Sequence, residues 1–147
     1  MHTSAYLQRR SQLEQYFDRT AAQAWERLTS DAIAAAAQQV GHTIGAKAIV
    51  AFTASGGTAL RVARERPDSP VIGLTPNLET ARRMAVVWGV HAVVVADVHS
   101  MSEAVTRAAR AALAEGFAGH GDQIVVVAGV PFGQVGTTNA LRVAVVR

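Results

Sequence analysis

Short apolar runs that alternate with segments of helix-forming residues restrict the fold of this chain more than any other feature of its sequence. Five such runs occur, at residues 47–52, 71–74, 90–96, 124–128 and 141–146. Each is almost entirely apolar and is bounded by turn-forming residues, which is typical of strands buried on both faces of a sheet. Segments rich in helix formers, at 58–66, 78–87 and 102–115, separate the first four runs.

This alternation predicts an α/β fold. Strands joined by helical crossovers form a largely parallel sheet with helices on both faces. The connection between the fourth and fifth runs holds only about a dozen residues, too few for a helical crossover, so the fifth strand is expected to run antiparallel. We therefore predict a three-layer α/β/α domain with a five-stranded mixed sheet whose last strand is antiparallel.

The segment before the first run is predicted to contain two helices. Thr29, Ser30 and Asp31 are good N-cap types and precede an alanine-rich stretch, so a helix is expected to begin there. Upstream, the spacing of Tyr6, Leu7, Leu13, Tyr16 and Phe17 indicates an amphipathic helix. The predicted division is an N-terminal helical extension at 1–28 and a main domain at 29–147. Trp88 is expected to pack inside the main domain.

Composition excludes several classes of function. The chain has no cysteine, so disulfides, thiolate zinc sites and a cysteine nucleophile are ruled out. Its 14 Lys+Arg and 11 Asp+Glu give a net charge of only +3, with no basic cluster for nucleic acid. No apolar stretch approaches the roughly 20 residues of a membrane span, and no signal peptide is visible, so a cytoplasmic location is expected.

The loop after the first run is the strongest candidate for a binding site. It offers three hydroxyls, two glycines and the start of the next helix, in the residues Thr53, Ala54, Ser55, Gly56, Gly57 and Thr58. Free backbone N–H groups and the positive end of a helix dipole suit a phosphate. A plain helix cap with turn glycines explains the loop equally well. It lacks the lysine of a P-loop and is not a dinucleotide-binding fingerprint.

A second candidate loop follows the fourth run, also at the carboxyl end of a strand, where ligands bind in open α/β sheets. The residues expected to contact a ligand there are Gly129, Pro131, Gly133, Gly136 and Thr137. Other candidates are weaker. The five histidines do not fall at metal-ligand spacing, so no metal site is predicted. Among the arginines of the helix at 58–66, Arg61 alone is close enough to assist a phosphate.

Several segments together resemble, in order and spacing, the C-terminal domain of bacterial pyruvate kinases. They lie at 52–59, 64–67, 74–76, 88–90 and 121–122 and in the loop at 129–139, and the resemblance covers residues 31–147. It implies the same mixed five-stranded sheet. In such domains the loop matching 53–58 holds the phosphate of an allosteric effector, and the loop matching 129–137 closes over the sugar.

The resemblance also implies which partners the chain has and which activity it lacks. The family's reaction, phosphoryl transfer from phosphoenolpyruvate to ADP with Mg²⁺ and K⁺, takes place in a TIM barrel that this chain does not contain. The isolated domain is therefore expected to be inactive, with no catalytic residue and no cofactor of its own. Its expected partners are the phosphorylated effector, the catalytic barrel and further copies in a homo-oligomer.

Two positions affect the choice of effector. Relatives activated by fructose 1,6-bisphosphate hold the second phosphate with Trp and Arg residues, where this chain has Asp97 and Ala104. A sugar monophosphate or AMP is therefore favoured over a bisphosphate. The alternative is a stand-alone protein that binds phosphorylated metabolites with the same fold. A small hydrolytic or phosphate-transferring enzyme would need a general base near Ser55, and none is evident.

Overall fold

A computed structural model of the chain describes residues 3–130, 132 and 138–147, in which four helices and five strands occur. In chain order these are α1 (Ser4–Ile44), β1 (Ile49–Phe52), α2 (Gly57–Arg64), β2 (Val71–Thr75), α3 (Leu78–Met84), β3 (Val90–Val94), α4 (Met101–Ala114), β4 (Gln123–Ala128) and β5 (Ala140–Val145). Each predicted strand is present, with ends that differ by up to two residues from those expected.

The strands form one sheet in the order β3-β2-β1-β4-β5. β1 pairs in parallel with β2 on one side and with β4 on the other, and β2 pairs in parallel with β3. β5 pairs antiparallel with β4, with Val125 opposite Val143. The mixed sheet with an antiparallel last strand is therefore confirmed.

Successive strand residues point to opposite faces of the sheet, and each face has its own core. On one face, Val50, Ile72 and Val126 pack against the alanines of α4. On the other, Ile49, Val71 and Val125 pack against α1 and α2, and a smaller cluster around Met84 joins α3. Helices therefore cover both faces, which confirms the three-layer α/β/α arrangement.

Helix α1 differs from its prediction. It runs without interruption for 41 residues, from an N-cap at Thr3 to a left-handed C-cap at Gly45. A helix start near Thr29 was the wrong expectation. Residues 21–28 contain good helix formers and no Gly or Pro, so nothing stops the helix before Thr29. The division at 28/29 remains a prediction.

Two further observations concern the surface. Trp88 is 74% exposed, so the expectation that it packs inside the domain is wrong. Its ring lies 4.9 Å from the guanidinium carbon of Arg66, a cation–π contact that covers only one face of the ring. Within the described part of the chain, no helix is long and apolar enough to cross a membrane.

Candidate functional site

The two candidate loops leave the sheet at its topological switch point. β1 and β4 are parallel neighbours, with Ala51 opposite Val127. The chain continues from β1 into α2 on one face, whereas α4, on the other face, leads into β4. The strand order therefore reverses between β1 and β4, and the loops after these two strands both begin at the carboxyl-end edge of the sheet, which is where ligands bind in open α/β folds.

The loop at 53–58 exposes the backbone N–H groups at the start of α2. Thr53 Oγ1 accepts a hydrogen bond of 2.7 Å from the N–H of Gly56 and holds the turn. Gly56, the N-cap residue, has a φ of 94° and offers no side-chain cap. Within the described residues, the first-turn N–H groups of Gly57, Thr58 and Ala59 have no hydrogen-bond acceptor. An anion would satisfy them.

Helix α3 fixes the other side of this loop. The buried hydroxyl of Thr80 donates a hydrogen bond of 2.9 Å to the carbonyl oxygen of Ala54. Arg83 Nη2 donates in turn to Thr80 Oγ1, at 3.2 Å. The loop is therefore held by its own Thr53 and by Thr80 of α3.

Ser55 and Arg61 meet at the opening of the loop. A Cβ added to Gly57 would lie 3.4 Å from Arg61 Nη1 and 3.6 Å from Ser55 Oγ, so both polar groups flank the same glycine. Ser55 is exposed, and its hydroxyl makes no hydrogen bond with the described residues. The Ser55 hydroxyl and the Arg61 guanidinium therefore both lie near Gly57, the first residue of α2.

Arg61 Nη1 is buried and has no hydrogen-bond partner in the part of the chain that the structure describes. Among the described residues, the carboxylate paired with the guanidinium is that of Asp31, whose Oδ1 lies 3.8 Å from Arg61 Nε, and the Asp31 side chain is 59% exposed. At that distance the ion pair is weak. A buried charged donor without a partner is costly.

Three buried hydroxyls join the two loops and α1. Thr58 Oγ1 lies 2.6 Å from Thr138 Oγ1, and the N–H of Thr138 donates to Ser30 Oγ at 3.1 Å. Of the three hydroxyls predicted for the phosphate loop, those of Thr53 and Thr58 organise the loop, and that of Ser55 faces outward. The roles of Ser30 and Thr138 could not be predicted from the sequence, because these residues meet Thr58 only in the folded chain.

The ends of the second loop are tied together. Asn139 Oδ1 accepts a hydrogen bond of 2.8 Å from the N–H of Val130, and Asn139 Nδ2 donates one of 2.7 Å to its carbonyl. Gly129 follows β4 directly and is half-buried. The remaining predicted residues of this loop, Pro131, Gly133, Gly136 and Thr137, lie outside the described residues, so their role stays a prediction.

The remaining candidates do not join this site. Asp97 Oδ1 accepts a hydrogen bond from the next N–H in the chain, that of Val98, and Ala104 is a fully buried residue of α4. His42 pairs with Asp68, and His91 with Glu115, both on exposed surfaces. Among the described residues, no group of three or more His, Asp or Glu could hold a metal ion.

The fold is that of a doubly wound α/β domain, and the start of α2 leaves backbone N–H groups open at its switch point. Residues 31–144 match the family model described as the pyruvate kinase alpha/beta domain. The chain belongs to this family, and the resemblance inferred from its segments is confirmed.

Whole pyruvate kinases are among the relatives. Those of Methylorubrum extorquens and Agrobacterium vitis are 50% and 46% identical to this chain, over 121 and 112 residues. These matches cover 82% and 76% of this chain, but 25% and 24% of the relatives. A crystal structure of a pyruvate kinase from Cryptosporidium parvum superposes with a TM-score of 0.73 at 27% identity, covering 81% of this chain and 23% of that one. The chain thus spans about a quarter of its relatives' length.

Proposed function

We propose that this chain is a regulatory and assembly domain of pyruvate kinase, and that the loop at 53–58 binds the phosphate of a small-molecule effector. The observation that carries the proposal is the buried Nη1 of Arg61, which has no hydrogen-bond partner among the described residues and lies beside Ser55 and Gly57. A phosphate at this point would accept hydrogen bonds from the guanidinium, the Ser55 hydroxyl and the first-turn N–H groups of α2.

We propose a single phosphate on the effector, as in a sugar monophosphate or AMP. The described donors form one cluster, around Gly57. At the positions where bisphosphate-activated relatives carry Trp and Arg, this chain has the exposed carboxylate of Asp97 and the buried methyl of Ala104. A carboxylate repels a second phosphate, and a methyl group offers it no hydrogen bond. The sugar would lie toward the loop that follows β4, which includes Gly129.

Titration calorimetry tests this proposal directly. The purified chain is titrated with glucose 6-phosphate, ribose 5-phosphate, AMP and fructose 1,6-bisphosphate. We expect binding of at least one monophosphate, and weaker binding of the bisphosphate. If none of the four binds at millimolar concentration, the loop is not an effector site.

Within a whole pyruvate kinase, the effector would act through a shift in population. A ligand that binds one quaternary arrangement better than another moves the equilibrium by the difference in affinity. The buried contacts between Thr58, Thr138 and Ser30 support such a role, because they join the effector loop to α1 and to the loop after β4. The partners in this arrangement would be the catalytic barrel and other copies of the domain.

The parent reaction, phosphoryl transfer from phosphoenolpyruvate to ADP with Mg²⁺ and K⁺, is assigned to the barrel and not to this domain. The purified 147-residue chain should therefore form no pyruvate in a coupled assay that contains all four components. Pyruvate formation above the rate of a buffer blank, proportional to the amount of chain added, would refute this assignment.

A further inference from the structure

The N-terminal part of α1 leaves the domain with apolar side chains in solvent. Every residue from 3 to 23 is exposed. Leu13, Phe17 and Trp25 are 52%, 65% and 72% exposed. A helix of this length with so much exposed apolar surface gains most of its stability from a partner that covers it.

Five of the apolar residues form a straight stripe along the helix, whereas Leu7, Tyr16 and Trp25 lie about 90° from its centre. Tyr6, Leu13, Phe17, Ala24 and Leu28, here called the extension stripe, are spaced by alternate steps of seven and four residues. At 100° per residue, these five positions fall within about 60° of the helix circumference. A partner helix can therefore contact the stripe along its whole length.

The stripe faces away from the domain that carries it. The buried residues of α1 are Ser30, Ala34, Ala37 and Gly41, and these face the sheet and α2. Their mean direction on the helix differs from that of the extension stripe by about 120°. The chain therefore cannot cover its own stripe with its own sheet while α1 stays straight.

We propose that the extension stripe pairs in parallel with the same stripe of a second copy of this chain. Arg9 and Glu14 flank the stripe on opposite sides, each about 70° from its centre. In a parallel pair, opposite flanks of the two helices meet, so Arg9 of each copy contacts Glu14 of the other. In an antiparallel pair, like flanks meet, and Arg9 would face Arg27 of the second copy.

The side chains of the extension stripe and its flanks also form a groove that can receive a side chain of the second copy. A groove of about 260 Å³ is lined by Tyr6, Arg9, Arg10, Leu13, Glu14 and Phe17. Within it, the spacing of residues 10, 13, 14 and 17 is that of a hole that receives one apolar side chain from a facing helix. Leu13 of the second copy fits this hole. The charge of Arg10 is already paired, since its Nε lies 2.9 Å from Glu14 Oε1.

A membrane surface suits the helix less well than a second copy. Helices that lie on membranes carry an excess of Lys and Arg on their polar face. Between residues 4 and 28 the four arginines are nearly balanced by Glu14, Asp18 and Glu26. Of these carboxylates, Asp18 and Glu26 lie on the polar face.

Light scattering of the full chain tests the pairing. Phe17→Glu places a charge in the centre of the stripe and should halve the molar mass relative to the unchanged chain. Gln15→Glu, on the opposite face of the same helix, adds the same charge and should leave the mass unchanged. Far-UV circular dichroism checks that both variants fold. An equal mass for Phe17→Glu and the unchanged chain overturns the proposal, because any assembly then uses another surface.

Cross-linking tests the direction of the pair, since the chain has no cysteine. Leu13→Cys should form a disulfide-linked dimer under mild oxidation, because residue 13 faces itself in a parallel pair. If dimers form only when Leu13→Cys is mixed with Ala21→Cys, the pair is antiparallel and the proposal is wrong. Sedimentation of a monomeric chain with phosphatidylserine vesicles, abolished by Phe17→Glu, would overturn it in favour of a membrane. Effector binding at Ser55 is a separate readout, and it does not depend on any of these results.

Discussion

At the scale of single residues, we expect Arg61 to determine how strongly the proposed site binds an anion. Replacing it with methionine keeps a long side chain on α2 and removes the guanidinium beside Gly57. Hydrogen bonds to charged groups contribute about 1.5–3 kcal/mol, so Arg61→Met should weaken binding of a monophosphate roughly 10- to 150-fold. Calorimetry measures the change. Arg64→Met, at the exposed last turn of the same helix, is the matched control. Equal affinities for the two variants would place the anion elsewhere.

Thr58 illustrates a loop residue that acts through a buried contact. Thr58→Val keeps the side-chain shape and leaves the hydroxyl of Thr138, which is fully buried, without its partner. The free energy of unfolding should fall by about 1–3 kcal/mol, measured by urea denaturation. Thr106→Val, at an exposed position of α4, should change it by less than about 0.5 kcal/mol. A loss no greater than that of Thr106→Val would show that water satisfies Thr138.

The sequence singled out the loop at 53–58 as the candidate site, but it did not predict the direction of each hydroxyl in that loop. The residue types at 53–58 follow from the local backbone, since the turn that precedes a helix favours glycines. The direction of each hydroxyl depends on distant residues: Thr138 binds Thr58 across 80 positions, and Thr80 reaches Ala54 across 26. The burial of the Arg61 guanidinium, likewise, depends on how α1 packs on α2. Periodicity within a single segment contains none of this information.

At the scale of elements, the start of α2 depends on the backbone of Gly56. Its φ of 94° is a conformation that L side chains rarely adopt. Gly56→Ala should lower the free energy of unfolding by about 1–3 kcal/mol, the usual cost of strained backbone, and should also weaken phosphate binding. Denaturation and calorimetry on one preparation test both effects.

Gly41→Ala provides the opposite case in the same fold. Gly41 is inside helix α1, and an added Cβ would lie 3.5 Å from Ile49 Cδ1, an ordinary contact. Alanine should therefore raise the free energy of unfolding by about 0.5–1 kcal/mol. If both glycine variants change stability in the same direction, backbone conformation is not the cause.

The strands β1, β2 and β4 were predictable as elements because both of their faces are buried, and burial on both faces requires nearly unbroken apolar runs. The ends of α1 were not equally predictable. Ser30 is an N-cap type, yet in the structure it lies within a helix and accepts a hydrogen bond from the N–H of Thr138. A serine side chain can cap a helix or accept a hydrogen bond from within one. Only the packing of the loop after β4 decides which of these two roles Ser30 has.

At the scale of the whole molecule, the extension and the domain should be separable. Residues 3–23 are entirely exposed and contribute nothing to the cores around Val50 and Ile49. A chain that begins at residue 29 should keep the free energy of unfolding within about 0.5 kcal/mol of the full chain, since surface changes rarely exceed that. It should also keep its phosphate affinity and lose self-association through the helix. A truncated chain that unfolds would show that the proposed boundary at 28/29 is wrong.

Effector binding should also be visible in the stability of the molecule. A ligand that binds only the folded state stabilises it by mass action, by about 2.7 kcal/mol at 100 times its Kd. For a domain of this size, each kcal/mol shifts Tm by roughly 2–4 °C, so the shift should be roughly 5–11 °C. Scanning calorimetry with a monophosphate measures it. At the same ligand concentration, the shift should be much smaller for Arg61→Met and unchanged for Arg64→Met. A full shift in Arg61→Met would mean that the ligand stabilises the chain from a different surface, and the loop at 53–58 would lose its proposed role.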